Sequence, residues 1–308
     1  MQQPDQSHWH LLGAGAIGTL FASQLQGNGI AVTLVLRDSA DGAPLRAAGG
    51  LTLSHNDSTQ HFMPSFSGVD SAAVIDHLLV TTKAYQSLDA LVSVLPRLTR
   101  DAVVVLLHNG FGPQQQAAAR WPGLRLYAGT TTEGAYRESA TRVVHAGRGE
   151  TWLGPINAAA NAAGSTALAG LLQLPIGCHY DPAITTRLWQ KLALNAAING
   201  LTVIHDCRNG ELARQPDYRR QLQALCEETE ALAAASGQPL FERPLFAVAL
   251  AVAEATASNY SSMLQDVRHR RPTELDSING TLCRLAAEIG LDLPTHRWLI
   301  AAVEQRAR

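Results

Sequence analysis

Trp9-His10-Leu11-Leu12 runs straight into Gly13-Ala14-Gly15-Ala16-Ile17-Gly18, and a helix-forming stretch, Thr19 to Gln26, follows. An apolar run, a turn with G-x-G-x-x-G spacing and then a helix is the order that a dinucleotide-binding turn requires. Gly13 permits the tight turn, Gly15 lets backbone approach a pyrophosphate, and Gly18 lets the helix pack close to the strand. The whole turn, Gly13, Ala14, Gly15, Ala16, Ile17 and Gly18, is the expected cradle, with phosphate on the free N–H groups of the helix start. A second strand, Ala31-Val32-Thr33-Leu34-Val35-Leu36, ends at Arg37 and Asp38. An acidic residue at that place accepts from the ribose 2′-hydroxyl of NAD, whereas a guanidinium suits the 2′-phosphate of NADP. Arg37 comes first, so NADP is the expectation. The alternative is a surface arginine beside an aspartate that serves NAD.

Further strands follow in the first half. His77-Leu78-Leu79-Val80-Thr81-Thr82 is one, with Lys83 just past its end; Ala102 to Leu107 is another, with His108-Asn109-Gly110 at its end. Ligands of an open parallel sheet bind beyond the carboxyl ends of its strands, where Lys83 and Asn109 lie. Each also has a plain reading, Lys83 as a solvated loop lysine and Asn109 as the turn-former of an Asn-Gly pair. Residues 50–66 carry Leu51-Thr52-Leu53 and His61-Phe62-Met63 around a polar Asn56-Asp57-Ser58 turn, a hairpin-like insertion. Leu126 to Thr132 is a further strand and loop. Arg142-Val143-Val144-His145 and Thr151-Trp152-Leu153-Gly154 are expected to close the domain as an antiparallel pair, and Asn157 to Gly164 reads as a loop.

From about Pro182 the pattern changes to helical segments, roughly 183–205, 216–236, 242–259, 273–289 and 295–306, with breakers such as Pro216, Pro272 and Gly290 between them. The chain is therefore expected to be α/β, with a Rossmann-type dinucleotide-binding domain over 1–181 followed by an all-α domain over 182–308. The first of these helices carries Lys191, Asn195 and Asn199 at every fourth position among leucines and alanines. Each step turns the helix by about 40° and climbs about 6 Å, so the three polar tips share one face. A buried ammonium and two buried amides cost free energy unless something meets them. That partner is either a core carboxylate or a bound anion, and the helix is expected to face a cleft between the domains. Asn209, after this helix, reads as a turn residue. Ser262, in a linker, reads as a helix cap, and Glu274 as a first-turn acid favoured by the helix dipole.

Composition narrows the classes. The chain has 308 residues, 46% hydrophobic and 16% charged, enough apolar material for sizeable cores. A net charge of -2 gives no electrostatic reason to expect nucleic acid or an anionic membrane as partner. None of Cys178, Cys207, Cys226 and Cys283 forms a C-x-x-C pair, so no zinc site or dithiol centre is expected. His8 and His10 can share a strand face, but two ligands make a poor metal site. Residues 1–7 are polar and lack the apolar core of a signal peptide, and Leu245 to Ala253 is too short to span a bilayer. A cytoplasmic location is the expectation.

The segment Leu188-Trp189-Gln190-Lys191-Leu192-Ala193-Leu194-Asn195 with Ile198-Asn199-Gly200-Leu201-Thr202 closely resembles the ketopantoate reductases (2-dehydropantoate 2-reductases). So do Gly129-Thr130-Thr131-Thr132, Leu107-His108-Asn109-Gly110, Asn209-Gly210-Glu211-Leu212 and Ser261-Ser262-Met263-Leu264-Gln265-Asp266, and the likeness runs from about Trp9 to about Glu304. The resemblance implies NADPH-dependent reduction of ketopantoate to (R)-pantoate, on the route to pantothenate and coenzyme A; the apolar Ala/Leu helices are compatible with a monomer or a homodimer. It implies Lys191 and Glu274 as catalytic residues. Asn109, Asn195, Asn199, Asn209 and Ser262 are implied as substrate contacts. Arg37, Lys83, Asn109, Ala135 and Glu274 are implied as cofactor contacts beside the glycine turn. One departure is Gly200, where close relatives have proline; it is expected to loosen the helix end without removing a ligand.

Hydride transfer to a small 2-oxo acid fits these residues. The ketone oxygen gains negative charge in the transition state and needs a proton donor. Lys191 is the expected donor, its apolar setting lowering its pKa and Glu274 pulling the other way. The alternatives are a reductase of another small branched 2-oxo acid, or a non-catalytic NADP sensor. A sensor needs the glycine turn and Arg37 but has no use for Lys191 on a polar face.

Overall fold

A computed structural model describes residues 7–38, 42–56 and 58–307. Most of the polar N-terminal stretch, residues 1–6, and Asp57 of the expected turn lie outside the described residues. Contacts divide the chain into two units, residues 1–108 with 113–184, and residues 109–112 with 185–308. The boundary falls after Ile184, and the short segment Asn109–Gly112 goes with the second unit.

The first unit runs β1 (His8–Leu12), α1 (Ala16–Gly27), β2 (Ala31–Leu36), α2 (Gly42–Ala47), β3 (Leu51–His55), β4 (Ser58–Phe62), β5 (Ser65–Gly68) and β6 (Ile75–Val80). It continues with α3 (Ala84–Val94), β7 (Leu98–Leu107), α4 (Pro113–Arg120), β8 (Arg125–Thr131), β9 (Gly134–Arg137), β10 (Arg142–Gly147) and β11 (Thr151–Pro155). It ends with α5 (Ala158–Ala163), α6 (Ala169–Leu172) and β12 (Cys178–Tyr180). The main sheet has eight strands in the order β12-β11-β8-β7-β6-β1-β2-β5. β1 pairs in parallel with both β2 and β6. The strand order therefore reverses beside β1, the switch point where such sheets bind ligands.

Alternation along the strands splits the core. Val103, Val105 and Leu107 of β7 join one apolar cluster with Trp9, Leu11, Phe21 and Leu25. Val104 and Leu106 join the other, with Leu78, Val80, Leu91 and Val94. The period of two in a strand sends neighbours to opposite faces, so both faces of the sheet are covered. Each fully buried side chain of this size contributes about 1.5–3 kcal/mol.

Two local expectations are corrected, and a third is extended. The runs Arg142–His145 and Thr151–Gly154 do not pair with each other. β11 is antiparallel to β8 in the main sheet, while β10 joins β3 and β9 in a separate four-stranded sheet ordered β4-β3-β10-β9. The hairpin β3–β4 is present, but the missed strand β5 then adds in parallel to β2. The Asn157–Gly164 stretch is a helix and not a loop, because the Asn157 side chain accepts from Ala160 N at 3.0 Å and caps it.

The second unit contains α7 (Ile184–His205), α8 (Asn209–Arg214), α9 (Pro216–Ala235), α10 (Leu245–Ala255), α11 (Ser262–Arg268), α12 (Thr281–Glu288) and α13 (Pro294–Ala307). A π-helical turn, Asp276–Gly280, leads into α12. No strand follows Tyr180 among the described residues. The fold is thus α/β, a Rossmann-type first unit followed by an all-α second unit. Helices α8 and α11 were not expected. Each is short, and α11 begins at the cap of Ser261, whose hydroxyl accepts from Leu264 N at 3.1 Å. The cap is Ser261 and not Ser262, which is the exposed first residue of the helix.

Buried polar bonds hold these helices. The Thr202 and Ser261 hydroxyls lie 2.6 Å apart, joining α7 to the start of α11. Asn279, in the π-turn, donates to the Ala196 carbonyl at 2.9 Å and lies 3.0 Å from His296 Nδ1 on α13. His296 Nε2 in turn lies 2.9 Å from Thr229 Oγ1 on α9. Burial lowers the His296 pKa, with Glu228 opposing, so the ring serves as a neutral link. The segment 109–112 is pinned to the π-turn: Phe111 N donates to Ser277 O at 3.1 Å, and Thr281 Oγ1 donates to Phe111 O at 3.0 Å.

Gly200 does not mark a loosened helix end. α7 continues to His205, and Gly200 is buried within it. A Cβ there would meet Leu299 Cδ2 at 2.6 Å and Cγ at 2.9 Å, and Leu299 is itself fully buried. Helix propensity favours alanine over glycine by about 1 kcal/mol, whereas overpacking costs about 1–3 kcal/mol, so the clash is expected to win. Gly200→Ala should lower the melting temperature by a few degrees. Combining it with Leu299→Ala should destabilise less than the sum of the single changes, because the second change removes the obstructing atoms. Strict additivity in thermal melts would show that the contact with Leu299 does not set the glycine requirement.

Candidate functional site

In the first unit, β1 delivers the chain into the glycine turn. Gly13 has φ +113°, and a Cβ on it would lie 2.8 Å from Thr82 N. Thr81 Oγ1 donates to Gly13 O at 2.7 Å, tying the turn to the end of β6. A Cβ on Gly18 would fall 2.0 Å from Gly13 O, so only hydrogen fits where α1 leaves the turn. Gly15 differs, because a Cβ there meets nothing within 4 Å. Gly15 is also the cap of α1, with no side-chain hydrogen bond to the helix start and no acidic residue in the first turn. Open space in front of an uncapped helix N-terminus is a place for phosphate oxygens.

Arg37 and Asp38 follow β2 and are both exposed. Lys83 caps α3 with extended backbone and is half-buried. Ala135 lies on β9 and, like Ala14, Ala16 and Ile17, packs against the first apolar cluster. Glu133, just before β9, was not singled out from the sequence as a site residue. Its buried carboxylate lies 2.5 Å from His145 Nε2. The two belong to neighbouring segments of the small sheet, a pairing that no local motif announces.

The second unit gathers a different set. Lys191 and Asn195 are half-buried and Asn199 is buried, with the buried Leu188, Leu192 and Ala196 running beside them along the helix. Withdrawal of water lowers the Lys191 pKa to about 8, and the nearby Glu274 carboxylate opposes that shift. Glu274 is only 5% exposed and accepts from Asn109 Nδ2 at 3.2 Å. Lys191, Glu274 and Asn109 are therefore brought into one electrostatic group, although Asn109 and Glu274 stand 165 residues apart in sequence. The Asn109 side is set by Gly110, φ +85°, where a Cβ would lie 2.7 Å from Ser277 O.

Asn209 and Ser262 stand apart from that group in what they bond. Asn209, buried at the start of α8, donates through Nδ2 to Thr256 Oγ1 at 2.9 Å, and its backbone N–H donates to Asn259 O. These bonds fix the 256–259 segment that leads to Ser261 and Ser262. The Ser262 residue is exposed. Among the described residues no cluster of His, Cys, Asp or Glu is able to hold a metal ion, and no helix is long and apolar enough to cross a membrane.

Comparison with known proteins agrees over both units. The family described as ketopantoate reductase PanE/ApbA matches residues 9–158, and its C-terminal counterpart matches residues 183–307. A 2-dehydropantoate 2-reductase of Vibrio cholerae is 33% identical over 295 residues, covering 96% of each chain. A solved structure of a probable 2-dehydropantoate 2-reductase from Bacillus subtilis superposes with TM-score 0.83 at 28% identity, covering 97% of this chain and 100% of that one. A D-mandelate dehydrogenase solved with NADH and anilino(oxo)acetate shares the fold, with TM-score 0.87 at 23% identity and 98% coverage of each chain. On the full-length match to both of its parts, the chain belongs to the ketopantoate reductase PanE/ApbA family.

Proposed function

We propose that this protein is an oxidoreductase that uses NADPH to reduce 2-dehydropantoate (ketopantoate) to (R)-pantoate, with Lys191 as the proton donor. The observation that carries the proposal is an amine with its pKa brought down to about 8, beside a buried glutamate, in a chain of this family. An acid works best when its pKa lies near the working pH.

The residues of the first unit fit a dinucleotide. The uncapped start of α1 and the open space at Gly15 leave room for a pyrophosphate, and the close approach at Gly18 holds the helix against the turn. Arg37 would take the 2′-phosphate and Lys83 a second phosphate or the nicotinamide side, while Ala135 would offer backbone. Bound NADPH supplies the hydride.

The chain's own groups do the rest. The substrate's carbonyl carbon gains a C–H bond and the C=O π pair moves onto oxygen. The Lys191 ammonium stabilises that oxygen and gives it a proton, so an alcohol forms and a neutral amine remains, to be recharged from water. Asn195 and Asn199, on the same helix face, orient the substrate's hydroxyl and carboxylate, and the hydroxyl of Ser262 binds the carboxylate. Asn109 aligns the nicotinamide and ketone. Glu274 fixes the Asn109 amide and keeps the ammonium populated against desolvation. Asn209 supports Ser262 from behind through its bond to Thr256.

Lys191→Ala should leave NADPH affinity near that of the wild type and lower kcat by about 10²–10⁴-fold, as loss of a general acid does. Turnover of ketopantoate at the wild-type rate would remove Lys191 from the acid's role. The pH dependence has a fixed sign. Reduction needs the ammonium, so kcat/KM should be flat below about pH 8 and fall tenfold per unit above it. The reverse oxidation needs the neutral amine and should rise through the same pH. A break for reduction on the acidic side only would exclude Lys191 as donor. NADPH consumption across a panel of 2-oxo acids, with NADH as control, should rank ketopantoate and NADPH first. A larger rate with a different branched or aromatic 2-oxo acid would reassign the substrate, and no consumption with any acid would favour a sensor.

A further inference from the structure

Ala135 and Arg137 are two residues apart on β9 and share one face of that strand. β9 packs against α1, the helix that leaves the glycine turn. The Arg137 guanidinium reaches the glycine turn and donates through Nη2 to the Ala14 carbonyl. Ala14 is the middle residue of Gly13-Ala14-Gly15, so a cation stands on the turn itself.

The rest of the guanidinium is uncommitted. A guanidinium has five N–H donors, and among the described residues only Ala14 O is bonded to it, with no carboxylate paired to it. The residue is exposed, and an arginine stays charged at any working pH. Its remaining donors are open to solvent beside an uncapped helix start, where an anion is able to join them.

The charges of a dinucleotide supply that anion. A pyrophosphate carries two negative charges, and a helix N-terminus offers the equivalent of about half a positive charge. The turn alone therefore leaves most of the phosphate charge uncompensated. It also presents the Ala14 carbonyl, whose oxygen would repel phosphate if left uncovered. A guanidinium on that oxygen removes the repulsion and adds donors matched to phosphate geometry.

We propose that Arg137 is a pyrophosphate-binding residue that closes the glycine turn from the small sheet, distinct in duty from Arg37 at the adenosine end. The inference rests on the dinucleotide reading above. The placement of β9, in the small sheet and against α1, is what brings Arg137 to the turn.

Direct binding tests it without turnover. Titrations with NADPH, NADH and adenosine 2′-monophosphate, which has no pyrophosphate, compare wild type, Arg137→Ala, Arg137→Lys and Arg37→Ala. Arg137→Ala should weaken NADPH and NADH alike by about 10–100-fold, the range for one charged hydrogen-bonding group, and leave adenosine 2′-monophosphate within about twofold. Arg137→Lys should recover part of the loss, because the charge stays and the fork goes. Arg37→Ala should show the converse pattern, weakening NADPH and adenosine 2′-monophosphate and sparing NADH. Unchanged NADPH and NADH affinity in Arg137→Ala would overturn the proposal. Equal weakening of all three ligands with a lowered melting temperature would overturn it too, since that marks a structural strap. If wild-type protein bound neither dinucleotide, the dinucleotide reading itself would fail, and the role of Arg137 with it.

Discussion

An ammonium loses favourable hydration wherever water is withdrawn from it, and the second unit places one in the third turn of a 22-residue helix. The pKa of about 8 measures the balance on Lys191: burial disfavours the charge, and Glu274 restores part of it. That balance works only if the glutamate stays where it is. Glu274 is held by Asn109, and Asn109 is held by a loop whose backbone is bonded to Ser277 and Thr281. Behind α7, Asn279 grips the Ala196 carbonyl and reaches through His296 to α9. The bonds of Asn279, His296 and Thr281 are buried, so each is strong locally and costly to leave unmade. The polar groups of the helical unit thus form a frame around one amine.

The first unit depends on the absence of atoms. Gly13 and Gly18 approach each other and Thr81 so closely that a methyl group has no place. The strand, the turn and the helix are fixed by that contact, and the phosphate region is what remains open at Gly15. Sheet and cores then follow from alternation, with neighbouring residues of β7 serving opposite clusters.

Much of this was legible in the sequence, and the limits have physical causes. Periodicity and glycine spacing located β1, α1, β2, β7 and the long helices, because those signals are local. The partners of β10 and β11 were not legible. Strands with the same alternation can join either sheet, and the choice lies in pairings such as Val143 with Leu53 or Trp152 with Thr130. The short helices α8 and α11 were hidden because few turns carry little periodicity. In the site, the shared face of Lys191, Asn195 and Asn199 was readable from the spacing of four. The link from Asn109 to Glu274 was not, since nothing local connects residues so far apart. Ser261 and Ser262 are adjacent and chemically identical, so only backbone geometry decides which one caps.

The segment 109–112 has a consequence for heredity and engineering. The polypeptide leaves the first unit for four residues, returns to it, and departs finally after Ile184. A chimera that joins the front of one homologue to the back of another at residue 184 would therefore carry a mismatched tetrapeptide. Its Phe111 backbone would have to find equivalents of Ser277 and Thr281 in a foreign helical half. Recombination between relatives is compatible with this architecture only when the tetrapeptide and its receiving turn are inherited together.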